Sequence, residues 1–131
     1  MTESELNNIE GFLGCQLPAR YRFLLLNYPQ TLIDQGEFGA ANFDLYHSEG
    51  KLIEANGQAS WMWPDRPDSF VIVGDDGFGE VFAIDTSDDG CPVYGLSPHH
   101  GEFKDNVDAG VPVRLAETVD EWARLLAKRE F

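Results

Sequence analysis

Apolar positions near the start of the chain recur at helical spacing. Leu6, Ile9, Phe12 and Leu13 form one stripe behind Thr2 and Glu5. That Thr-x-x-Glu pair predicts a capping box, in which each side chain satisfies the other's orphan amide. Gly14 predicts the stop, since glycine alone takes the left-handed cap without strain. A second stripe follows: Tyr21, Leu24, Leu25 and Tyr28. Pro18 suits its first turn, where a missing N–H is harmless, and Pro29 closes it. From Gln30 to Asn42 no periodicity survives, and the segment reads as loop.

The period then shortens to two. Phe43 to Tyr46 predicts a short strand, with Phe43 and Leu45 on one face and Asp44 and Tyr46 on the other. Phe70–Gly74 and Glu80–Asp85 are apolar, β-branched or aromatic runs around Asp75-Asp76-Gly77-Phe78-Gly79. Glycine and aspartate turn the chain back there, so the runs predict a central β-hairpin. Thr86–Gly90 is a second turn and Pro92–Leu96 a third strand. Val111–Leu115 predicts an edge strand, because Pro112 cannot donate to a ladder. Thr118 and Glu121 open a final helix with Val119, Trp122, Ala123 and Leu126 facing inward. Two segments resist this reading. Ser48–Ser60 permits a helix that Gly50 and Gly57 weaken, and Ser97–Gly110 reads as a polar loop carrying His99 and His100. Strands joined by short turns pair antiparallel. The expectation is an α+β domain: a twisted antiparallel sheet of about four to five strands with N- and C-terminal helices packed on it.

Length changes little: 131 residues suit a single domain, 1–131, able to bury a core without metal or disulfide. Three Trp, four Tyr and nine Phe argue for an ordered globule. No apolar run approaches the ~20 residues of a membrane span. Thr2–Glu10 is polar and acidic, unlike a secretory signal. Cys15 and Cys91 show no CxxC spacing, so the expectation is a cytoplasmic protein with two free thiols, against a Cys15–Cys91 disulfide.

Charge changes the picture more. The formal net is −14, and between Phe23 and Phe103 fourteen Asp and Glu face two bases, Lys51 and Arg66. Such a field repels nucleic acid and anionic membranes and attracts basic partners. Plain solubility is the competing explanation for acidity of this kind.

Three motifs invite chemistry. Asp85-Thr-Ser87-Asp-Asp89-Gly90 resembles the start of a calcium loop, but position twelve is Leu96 rather than a bidentate Glu, which favours a plain turn. Asp75-Asp76-Gly77-Phe78-Gly79-Glu80 lacks the following helix and Lys of a phosphate cradle, so exposed acidic contacts are the better role. Cys91 with His99 and His100 lacks zinc-ligand spacing, and a Cys–His nucleophile requires a contact that sequence does not display. No cofactor or metal is expected. Trp61, Trp63 and Trp122 suit the core, although Trp61 or Trp63 left exposed in a rim of acids would anchor an interface.

Taken in order, Leu17-Pro18-x-x-Tyr21-x-x-Leu24-Leu25, the aromatic cluster Trp61–Trp63, and the run from Phe70 to Asp85 resemble the SUKH superfamily, the Smi/Knr-like domain. Pro92-Val93-Tyr94 and the helix with Trp122 continue the resemblance over nearly the whole chain. It implies an α+β fold without shared catalytic residues. It also implies either an immunity protein that neutralises a secreted polymorphic toxin, often a nuclease, or a regulatory interaction module. Toxin nucleases are basic where they hold nucleic acid, so an acidic inhibitor gains on-rate and specificity by complementary potential. The expected partner is therefore a basic protein, with no nucleic acid and no membrane. The expected contact residues are Asp75, Asp76 and Glu80 in the hairpin, Asp88 and Asp89 in the next turn, and Asp44 and Glu49 nearby. An enzyme or metal site built on Cys91, His99 and His100 is the remaining alternative.

Overall fold

A computed structural model of the chain describes residues 1–37, 43–98 and 101–128. Its elements run α1 (Glu3–Leu13), α2 (Ala19–Leu26), α3 (Gln30–Glu37), β1 (Asp44–Leu45), α4 (Glu49–Met62), β2 (Phe70–Asp75), β3 (Val81–Asp85), β4 (Val93–Leu96), α5 (Phe103–Asp108), β5 (Val113–Ala116) and α6 (Val119–Lys128). Among the described residues five strands lie in sequence order, each antiparallel to the next, with β3 in the middle. The fold is thus α+β, and the β2–β3 hairpin occupies its centre as the two apolar runs predict.

Helices cover both faces of the sheet. Directly paired residues point to one face, and residues three apart on a strand point to opposite faces. Phe70 pairs with Asp85, so it lies on the face away from Phe82. Phe70 meets Phe103 of α5 with ring centroids 5.2 Å apart, whereas Phe82 meets Trp122 of α6 at 5.1 Å. Elsewhere α4 packs on β2, α1 on α4, and α2 and α3 on α6. The core gathers Leu6, Ile9, Tyr21, Leu25, Trp63, Val73, Ile84 and Val119, all essentially excluded from water.

Local chemistry sets the element ends. The Thr2–Glu5 capping box forms, and Gly14 takes φ 73° at the end of α1. Arg22 then ties α2 to α1, donating to Glu3 and to Glu10, whose other oxygen accepts the Leu17 amide at 2.7 Å. Pro18 stands at the N-cap of α2, one position ahead of its predicted first-turn place. At the other end of the chain, Thr118 accepts the Glu121 amide at 3.1 Å, as the pattern predicts.

Two segments, Gln30–Glu37 and Ser97–Gly110, differ from the sequence expectation, and a third, read as a weakened helix, resolves as a full one. Gln30–Glu37 is helical rather than loop: Pro29, read as a terminator, also starts the next helix, its carbonyl accepting the Leu32 amide at 3.1 Å. Ser48–Ser60 resolves as α4 despite its glycines. Ser48 caps it through the Lys51 amide, and a Cβ at Gly57 would sit 3.8 Å from the Phe12 ring, where α1 lies close. Ser97–Gly110 contains α5, whose first amides, Phe103 and Lys104, donate to the distant Asp65 carboxylate at 2.9 and 2.7 Å. His99 and His100 lie outside the described residues.

Candidate protein-binding site

The β2–β3 turn is built by its own acids. Asp75 accepts the Gly77 amide at 2.9 Å, and Asp76 accepts those of Phe78 at 2.7 Å and Glu80 at 3.1 Å. Gly77 and Gly79 take φ of 78° and 103°, which side chains with a Cβ resist. Between them Phe78 stands 73% exposed at the tip.

Around this turn the fold collects more carboxylate. Asp44 of β1 lies opposite Asp75 of β2. The crowding shows in the Asp44 carboxyl, which is pushed above the usual range by partial desolvation first and by the Asp75 charge second. Asp75 also accepts the Tyr46 hydroxyl at 2.6 Å. Desolvation and that bond raise the Tyr46 phenol far above its ordinary range, so it stays a donor. Lys51 lies over the Tyr46 ring, 5.2 Å from its centroid. Glu80 accepts from the Ser97 hydroxyl at 3.1 Å.

Asp76 and Glu80 also stand at one end of a groove of about 560 Å³ on the α6 face of the sheet. Its apolar walls are Phe43, Phe82, Val113, Leu115, Trp122 and Leu125. Phe43 stacks on Phe82 at 5.8 Å, and Gly95, paired to both Phe82 and Val113, keeps the floor between them low. Val113 is about half exposed on the edge strand. An apolar trough with carboxylates at its mouth can seat a hydrophobic side chain and pair a neighbouring Lys or Arg.

Of the seven residues expected from sequence, the structure brings Asp44, Asp75, Asp76 and Glu80 to this one end. Glu49 starts α4 and accepts from Asn8 of α1 at 3.2 Å. Asp88 and Asp89 occupy the β3–β4 turn, at the opposite end of β3. Five residues of strand separate the two turns by ~15 Å, well beyond the ~8 Å over which salt lets charges act together. They form a second, separate group.

That second turn is also held by its own side chains. Asp85 accepts the Ser87 amide at 3.0 Å and its hydroxyl at 2.6 Å, and Asp88 accepts the Gly90 amide at 2.9 Å. Among the described residues no group of three or more His, Cys, Asp or Glu is placed to hold a metal ion. Cys15 and Cys91 are free thiols. Cys91 is fully buried, and burial, aided by Asp120 and Asp88, pushes its thiol up to about 12. A thiol so raised is not a thiolate nucleophile at neutral pH.

Sequence reasoning missed Phe78 and the groove. The Gly-Phe-Gly tripeptide was the available signal for Phe78, because an aromatic between two turn glycines has nowhere to bury. The groove had no signal, since its walls come from β3, β4, β5 and α6 together with Phe43, just ahead of β1. Of the tryptophans, Trp63 is buried with its Nε1 donating to the Gly101 carbonyl at 2.9 Å, Trp122 is buried, and Trp61 is 84% exposed. No described helix is long and apolar enough to cross a membrane.

The family model of the SMI1 / KNR4 family (SUKH-1) matches residues 1–124. No curated protein and no solved structure matches the chain.

Proposed function

Because the chain belongs to the SMI1 / KNR4 family (SUKH-1), we propose that it is a cytoplasmic immunity protein. It binds and neutralises a basic toxin domain through the hairpin end of its sheet. The observation that carries this reading is the joining of carboxylates to an apolar groove at one place: Asp76 and Glu80 line the same trough as Phe82, Val113 and Trp122. Charge alone steers encounter but adds little affinity at an exposed surface. A desolvated apolar anchor supplies the slow dissociation. The two together make an inhibitor's surface. No reaction is assigned to the protein: its role is occlusion, with Asp44, Asp75, Asp76 and Glu80 pairing Lys and Arg of the toxin, and with Glu49, Asp88 and Asp89 further out.

The test uses a purified toxin domain encoded beside the gene, with surface plasmon resonance at several salt concentrations and rescue of growth on co-expression. The association rate is expected to fall steeply with salt. Asp76→Lys combined with Glu80→Lys should lower it by ~10- to 100-fold, while Val113→Asp should mainly speed dissociation. A salt-independent on-rate would remove the steering role. Rescue that survives all three substitutions would move the interface elsewhere on the molecule.

A further inference from the structure

A second apolar groove, of about 740 Å³, runs between α2 and α6. It shares α6 with the first groove but uses other positions of that helix. Trp122 and Leu125 line the sheet-side groove, whereas Asp120, Ala123, Arg124 and Ala127 line this one. We propose that this face joins two copies of the chain in an isologous, two-fold dimer.

Shape supports a second copy. Phe23 stands on the groove's edge 67% exposed, a large aromatic surface left in water. Beside it, Ala19 on α2 and Ala123 and Ala127 on α6 leave a trough. Knob and hole therefore sit on one patch. A two-fold interface needs such self-complementarity, since each patch must receive what it donates.

Charge supports it as well. A chain of net −14 resists contact with itself wherever its surface is acidic. Here the groove is lined by Arg20 and Arg124 against Asp120, two bases minus one acid, a local balance of plus one. Arg20 pairs with Asp120 across the groove at 2.6 Å. Arg124 lines the same wall and makes no ion pair among the described residues. Both signs on one patch let a two-fold rotation set Arg124 of one copy against Asp120 of the other. Dimerisation here leaves the sheet-side groove of each copy open, because the two grooves take different positions of α6.

Sedimentation velocity of the purified full chain over a range of micromolar concentrations tests this. The expected result is a reversible rise from 14.6 kDa to twice that mass. Phe23→Glu and Arg124→Glu should each hold the chain at one copy, while Phe78→Ser, at the far hairpin tip, should leave the rise unchanged. Circular dichroism identifies folded variants, and if Phe23→Glu loses its helical signal, the exposed Arg124→Glu decides alone. A mass of one copy at every concentration overturns the proposal. So does undiminished dimerisation of the folded Phe23→Glu protein, or growth beyond two copies, which marks an open, head-to-tail contact.

Discussion

Asn56 of α4 closes both backbone groups of Ile72 in β2: its Oδ1 accepts the Ile72 amide at 2.8 Å and its Nδ2 donates to the Ile72 carbonyl at 2.9 Å. The reason lies in the shortness of β1. That strand pairs only with Gly74 and Asp75, and one further bond runs from the Tyr46 amide to the Val73 carbonyl at 2.8 Å. Past that point β2 has no strand on its β1 side among the described residues, while β3 continues along the other. A buried side-chain amide takes the place of one, and Arg66 fastens it, donating to Asn56 Oδ1 at 3.2 Å and to the Phe70 carbonyl at 2.8 Å. Burial lowers the Arg66 guanidinium from its ordinary range, with Asp68 opposing that effect.

Asn56→Leu keeps the branched shape, with bulkier methyl groups, but strands a buried donor and a buried acceptor. The expected loss is about 2–5 kcal/mol, at the upper end of single substitutions. Urea unfolding should show a lower midpoint with an unchanged slope.

Gly74→Ala should fail for a different reason. A Cβ at Gly74 would meet the Asp44 carbonyl oxygen at 2.2 Å and the Phe82 ring at 3.0 Å. Backbone does not yield as a flexible side chain does, so β1 must move off β2. The expected cost is about 1–3 kcal/mol. Because Asp44 then leaves Asp75, under the proposed function association with the toxin domain should slow too, which the same resonance assay reads.

The two thiols should react differently. Cys15 is partly exposed, and Cys91 is buried with its thiol raised to about 12. Iodoacetamide at neutral pH is expected to alkylate Cys15 in the native protein and both residues after denaturation. Mass spectrometry counts the adducts, and rapid native labelling of Cys91 would contradict the burial described.

Asp44 gives the stability a pH dependence of known sign. Its carboxyl is raised in the fold, so between the unfolded value, about 3.9, and the higher folded one the native state binds more proton than the unfolded chain. The contribution of Asp44 to stability therefore falls as pH rises through that window. Asp44→Asn removes the fall. The variant should be more stable than the parent at neutral pH, with the difference closing below the unfolded value, as thermal midpoints across that range will show.

Much of this protein was legible along the chain because it rests on neighbours in sequence. The Thr2–Glu5 box, the Gly14 stop, the β2–β3 hairpin and the inward stripe of α6 are local matches of side chain to backbone, and each appears where the pattern puts it. The acidity of the middle of the chain was equally plain. Helix α5 was not, because the group that holds its first turn, Asp65, lies 38 residues before Phe103. Helix α4 was legible only as a weak helix because of two glycines, one of which, Gly57, faces Phe12 of α1.

The tertiary structure alone decided which acids act together. Asp44 and Asp75 stand 31 positions apart and meet through strand pairing, whereas Asp89, much nearer to Glu80 in sequence, is carried to the other end of the sheet by one strand. Spacing along a chain reports distance only while backbone geometry is regular. Once strands reverse, register and turn position determine where charge gathers, and the apolar groove beside it exists only after β3, β4, β5 and α6 have packed together with Phe43.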